Sequence, residues 1–116
     1  MIYCTFSEQV IKVGSLIDNI NIDPVTGNQW LAAFPQALHI VEYTKNISHL
    51  CPSQILTLQL GEPSASAIAY PDYELREVYV NDGKEVSAAT VATVYKDRLL
   101  IGSLSGNMLY CEVKFY

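Results

Sequence analysis

The sequence predicts an all-β chain of short antiparallel strands, and three features carry that prediction. The first is the run Ala89-Thr90-Val91-Ala92-Thr93-Val94-Tyr95, a polar turn, then Leu99-Leu100-Ile101-Gly102, a turn at Ser105-Gly106-Asn107, and Leu109-Tyr110-Cys111-Glu112. β-Branched and aromatic residues fill these segments and alternate with small ones, as strands do. The second is Gln54 to Leu60, where Ile55, Thr57 and Gln59 fall opposite Leu56, Leu58 and Leu60. The third is the turn chemistry of Asp23-Pro24-Val25-Thr26-Gly27-Asn28, where Pro presets φ and Gly accepts a positive one. Three strands joined by short turns form a meander, the building unit of a propeller blade.

The elements follow in order. Glu8 to Leu16 reads as a strand on Val10, Ile11 and Val13. Ile20 to Asp23 alternates with period two, and Gln29 to Ala33 is the next apolar segment after the turn. Ala37 to Tyr43 is expected to be a further strand, ended by the polar stretch Thr44 to His49. After Gln54–Leu60, the segment from Gly61 to Pro71 reads as a loop. Glu77-Val78-Tyr79-Val80 leads into Asn81-Asp82-Gly83, whose Asp-Gly is a hairpin signal. No amphipathic helix is expected. The strands divide into two groups of about four, with a boundary near 45–65, which suggests a weak repeat of stacked or radial sheets.

Bulk composition narrows the function. Of 116 residues half are hydrophobic, so a buried core is expected. The formal charge of -5, with 7 basic residues scattered along the chain, excludes a nucleic-acid patch. No apolar run reaches the roughly 18 residues a membrane helix needs. The start Met1-Ile2-Tyr3-Cys4-Thr5-Phe6 lacks the basic and apolar regions of a signal peptide. Cys4, Cys51 and Cys111 have no CxxC spacing, which argues against zinc. On composition alone these read as buried free thiols of a reducing compartment.

Two blades cannot close a ring, since a propeller takes at least about four. The chain is therefore expected to be either a small sandwich or part of a larger propeller. Two segments favour the second. Leu16-Ile17-Asp18-Asn19-Ile20-Asn21-Ile22-Asp23-Pro24, followed by Thr26-Gly27 and Trp30, resembles a run of the paraoxonase/arylesterase family. So does Thr90-Val91-Ala92-x-Val94-Tyr95-Lys96 with Leu99 to Gly102 and Leu109 to Glu112. With Glu77 to Gly83, the resemblance covers roughly 12–60 and 75–113.

The resemblance implies the C-terminal portion of a six-bladed propeller, about two of its antiparallel four-stranded blades, spanning 1–116 without a complete independent domain. It implies a hydrolase of aryl esters and lactones that holds two calcium ions per full-length propeller. Asp18 and Asn19 match the pair that binds the catalytic calcium. Their chemistry suits a hard cation, a carboxylate beside an amide carbonyl. Such an ion polarises an ester carbonyl while water attacks. Outside this context, Asp-Asn before a strand is more commonly an Asx turn.

No catalytic residue of the family falls within this chain. The histidine pair proposed as general base matches neither His39, read as a packed or surface residue, nor His49, in a loop. Ala33-Phe34-Pro35 stands where the family often has Cys-His-Pro, so Phe34 can wall an apolar pocket but cannot move a proton. Phe34, Val41 and Leu104 are the expected substrate-pocket residues. Ser105-Gly106-Asn107 replaces bulkier apolar and basic residues in the last turn.

Cys111 matches a family cysteine in a disulfide whose partner lies outside this chain. That pairing shifts the expected compartment to the secretory pathway. Membrane or lipoprotein association is expected through a region not present here. Asn46-Ile47-Ser48 is an N-glycosylation sequon in an expected loop, while Gly83 removes the one expected at Asn81. The alternatives are a paraoxonase-like chaperone or assembly factor without catalysis, and an unrelated small β binding module.

Overall fold

The computed structural model describes residues 10–61 and 72–114. Seven strands and one helix run in the order β1 (Leu16–Ile22), β2 (Gln29–Phe34), α1 (Ala37–Lys45), β3 (Ser53–Leu60), β4 (Tyr73–Asn81), β5 (Ala89–Tyr95), β6 (Arg98–Ser103) and β7 (Leu109–Glu112). They form a four-stranded sheet, β1-β2-β3-β4, and a three-stranded sheet, β5-β6-β7, with every pairing antiparallel. The all-β class and the final meander stand as expected. Among the described residues no helix is long and apolar enough to cross a membrane.

The sheets stack because each strand divides its residues between two faces. Trp30, Ala32 and Ile55 on one face of the first sheet pack against Ala89, Ala92, Leu99 and Ile101 of the second, with Val86 between. The opposite face carries Leu31, Ala33, Leu56 and Leu58, joined by Ile11, Val13, Ile17 and Leu75. The split of Ile55 from Leu56 and Leu58 is the one read from the sequence. A sheet apolar on both faces belongs between two layers. Among the described residues the second layer is partial, and Ile11, Val13, Ile17, Ile20, Leu31 and Leu58 border a groove of about 320 Å³.

The β1–β2 hairpin is closed by the anticipated turn. The Asp23 carboxylate accepts from the Val25 N–H at 3.0 Å and the Thr26 hydroxyl at 2.8 Å, and Gly27 takes φ +75°. These bonds favour the charged carboxylate, with Val25 the larger cause, so Asp23 titrates below its ordinary range.

Four expectations give way to the structure. Ala37–Tyr43 is not a strand: Ala37–Lys45 is helix α1. Pro35 has no N–H for the ladder that ends at Phe34, and Ile40 and Tyr43, three apart on one helix face, pack on Phe34, Cys51 and Ala88. Lys45 sits in the last turn, where positive charge suits the helix dipole. Second, of the stretch Glu8–Leu16, residues 10–15 lack strand pairing and β1 begins at Leu16, while Glu8 lies outside the described residues.

Third, Asp82-Gly83 does not turn a hairpin, since β4 pairs with β3 and β5 with β6. Asn81 accepts from the Gly83 N–H at 2.6 Å, Asp82 from Lys84 at 3.0 Å, and the chain crosses to the other sheet. Gly83 has φ +99°, and a Cβ there would meet the Cys51 backbone at 3.0 Å. Only glycine fits. Fourth, the two groups of strands divide between Asn81 and Ala89 rather than near 45–65, because β3 is an interior strand of the first sheet. The expected loop at Gly61–Pro71 lies, after Gly61, outside the described residues.

The crossing is fixed to the end of β3 by buried polar bonds. The Ser53 hydroxyl donates to the Val86 carbonyl and accepts from the Ala89 N–H, both at 2.9 Å, and is itself fully buried. The Cys51 N–H donates to Ser87 Oγ at 2.8 Å, and the Ala88 N–H to the Cys51 carbonyl at 3.1 Å.

Candidate functional site

Asp18 and Asn19 lie within β1, which is broken at that point. Ile17 pairs with Ala33 and Ile20 with Leu31, so the two residues between them oppose the single residue Ala32. This is a β-bulge. In a regular strand, neighbours point to opposite faces; the bulge lets two consecutive side chains meet. Accordingly, Asn19 Nδ2 donates to Asp18 Oδ2 at 3.2 Å.

A second bulge completes the geometry. Ala89 pairs with Ser103 and Val91 with Gly102, which leaves Thr90 as the extra residue of β5. Asn19 Nδ2 also donates to the Thr90 carbonyl, at 2.8 Å. Both amide protons are thus directed, one to Asp18 and one across to the second sheet. The Asn19 carbonyl oxygen is left as a directed acceptor beside the Asp18 carboxylate. The family resemblance singled out the pair but not Thr90, which contributes a backbone carbonyl released by a register shift.

The donor set suits a hard cation in kind: one carboxylate and one amide oxygen, both exposed. In number it is partial. Among the described residues no group of three or more His, Cys, Asp or Glu side chains gathers to hold a metal. Calcium takes six to eight oxygens, so this pair fits a share of a calcium site and not a whole one.

The expected pocket residues divide by exposure. Phe34 is buried at 5 % exposure against Tyr43, Cys51 and Ala88. Val41 on α1 is 48 % exposed and Leu104 59 %. The Leu104 N–H donates to the Ala88 carbonyl at 3.1 Å, and Ala88 packs with Phe34, so Leu104 and Phe34 are neighbours through Ala88. His39 lies on α1, half-buried, and His49 is exposed in the loop that follows.

Cys111 and Cys51 carry free thiols; Cys4 lies outside the described residues. Burial, and then the Glu85 carboxylate nearby, push the Cys111 thiol up from its ordinary value. The same carboxylate accepts from the Tyr79 hydroxyl, and burial together with Glu85 raises the Tyr79 phenol strongly. The sequence did not signal this group. Nor did it signal Trp30 Nε1, which is buried without a partner among the described residues. Trp30 lines a cavity of about 370 Å³ with Thr57, Arg76, Glu77 and Val113.

Comparison with known proteins follows the same residues. A sequence model of the Arylesterase family matches residues 5–113. The chain is 34% identical over 108 residues to "Serum paraoxonase/arylesterase 2" of Rattus norvegicus. It is 33% identical over 105 residues to "Serum paraoxonase/arylesterase 1" of Mus musculus, and 32% over 108 to "Serum paraoxonase/lactonase 3" of Homo sapiens. Each match covers 90% of this chain and 27% of the relative, so the chain spans about a quarter of the length of these curated proteins. The chain belongs to the arylesterase family.

Proposed function

We propose that this chain forms about two blades of a calcium-dependent arylesterase, a six-bladed propeller that hydrolyses aryl esters and lactones. The observation that carries the reading is the bulge that brings Asp18 and Asn19 together and ties Asn19 to Thr90. The first sheet, apolar on both faces, supports a place between two neighbouring sheets. The names of the relatives support ester and lactone substrates, and "serum" supports an exported protein.

In this reading Asp18 supplies charge and Asn19 a neutral oxygen to the ion. Calcium bound there supplies Lewis-acid polarisation of the substrate carbonyl. Thr90 holds the Asn19 amide so that its oxygen, and not its NH₂, faces the ion. Among the described residues, the pair's hydrogen bonds run to each other and to the Thr90 carbonyl, and none involves a histidine or a second carboxylate. The base and the remaining oxygens come from other blades. Exposed Val41 and Leu104 give the substrate an apolar neighbourhood, while Phe34, which stands where the family has its histidine, is buried against Tyr43, Cys51 and Ala88.

The test is a chimera in which residues 1–116 replace the matching quarter of rat serum paraoxonase/arylesterase 2. Chelator-sensitive hydrolysis of phenyl acetate is expected. Asp18→Ala lowers it by about 10²–10³-fold at saturating calcium, because charge stabilisation is lost. Asn19→Ala is milder, about 10–100-fold. Turnover that ignores Asp18→Ala refutes the assignment.

A further inference from the structure

The sequon Asn46-Ile47-Ser48 is the one N-x-Ser/Thr motif of the chain, and the esterase reading does not use it. Asn46 is exposed, just beyond the last residue of α1, and its N–H closes the helix on the Glu42 carbonyl at 3.0 Å. Its side chain forms an Asx turn. Oδ1 accepts from the Ser48 N–H at 3.1 Å and from the Ser48 hydroxyl at 2.8 Å. Both bonds fall on the oxygen, and Nδ2 has no hydrogen bond among the described residues. Ile47 at position x leaves the turn unhindered, where proline would not.

We infer that Asn46 carries an N-linked glycan. The hydroxyl residue two positions on is the one that organises the amide, which gives the motif a function in this fold and makes Ser48 more than a sequence coincidence. Transfer forms a bond between Asn46 Nδ2 and the anomeric carbon of an oligosaccharide carried on a lipid pyrophosphate. The bond from that carbon to the pyrophosphate breaks, the lipid pyrophosphate leaves with the electron pair, and one amide proton passes to a base of the transferase. The folded chain accommodates the product. Its surroundings are exposed, and Ile47 at 80 % and Leu50 at 46 % exposure are apolar surface that a carbohydrate would cover.

The inference rests on the secretory reading above, so the experiment imposes entry and tests the site alone. The full chain behind a cleavable secretory leader is translated with microsomes, and the protease-protected fraction is examined. One slower-migrating species is expected, converted to the unmodified band by peptide N-glycosidase. Asn46→Gln and Ser48→Ala abolish it, and Ser48→Thr, which keeps the hydroxyl, retains it. A protected chain without the shift overturns the inference and leaves the calcium reading untouched. A shift that survives Asn46→Gln overturns it equally.

Discussion

Ser53→Ala removes one hydroxyl from the interior, and its consequences reach from stability to the candidate site. The hydroxyl is the partner of two buried backbone groups, the Ala89 N–H and the Val86 carbonyl, each at 2.9 Å. A buried group left without a partner costs about 1–3 kcal/mol, so two set a range of about 2–6 kcal/mol. The alanine methyl is apolar in an apolar place, which favours the low end, about 2–3 kcal/mol. Small domains hold only about 5–15 kcal/mol in all. With a urea dependence of about 1–3 kcal/mol per molar, the denaturation midpoint should fall by about 0.7–3 M at unchanged slope. Ala89 precedes the bulged Thr90, so the loss is local to the contact that orients Asn19. Hydrogen exchange at the Ala89 amide should accelerate, and the Asn19 side-chain amide resonance should move. A midpoint within about 0.3 M of wild type, with Ala89 protection intact, refutes the reasoning.

Gly83→Ala combines a positive φ with backbone at 3.0 Å, so a loss of about 1–3 kcal/mol is expected in the same urea assay, and a neutral result contradicts the fit against Cys51. Asp23 titrates below its ordinary value, so its bonds add stability that is complete above the unfolded value and fades as pH falls through the folded one. Melting temperatures below about pH 4 should therefore drop less steeply in Asp23→Asn than in wild type. Cys111, raised by burial and then by Glu85, should react with iodoacetamide more slowly than a free thiol at neutral pH, with its rate rising only at higher pH. Glu85→Gln should move that inflection down, and an unmoved profile shows that Glu85 is not a cause.

What could be read in the sequence was what neighbours along the chain decide. The turn from Asp23 to Asn28, the alternation of Gln54–Leu60 and the meander from Ala89 to Glu112 are local patterns, and they appear where expected. Helix α1 was hidden because Ile40-Val41 has strand propensity, while the surface it packs on comes from Phe34, Cys51 and Ala88. Tertiary packing overrode local preference. The division of the sheets was hidden similarly, since bonds from Cys51 and Ser53 to residues 86–89 join positions more than thirty apart. Asp18 and Asn19 stood out through the run that surrounds them. Their convergence did not, because a bulge is a property of two paired strands and leaves no mark in one.

The bulge in β1 makes chain length at one point decide whether Asp18 and Asn19 meet. Deleting a single residue at 18 or 19 lets Ile17–Ala33 and Ile20–Leu31 remain paired, with one residue facing Ala32 in an unbroken ladder. Such a deletion repairs the backbone while removing the pair. The shorter strand is the more regular one, and regularity of the ladder and convergence of Asp18 with Asn19 are set against each other within a single residue. A deletion here would thus remove the proposed site while leaving hairpin, core and sheet order in place, a change that a count of conserved folds would pass over.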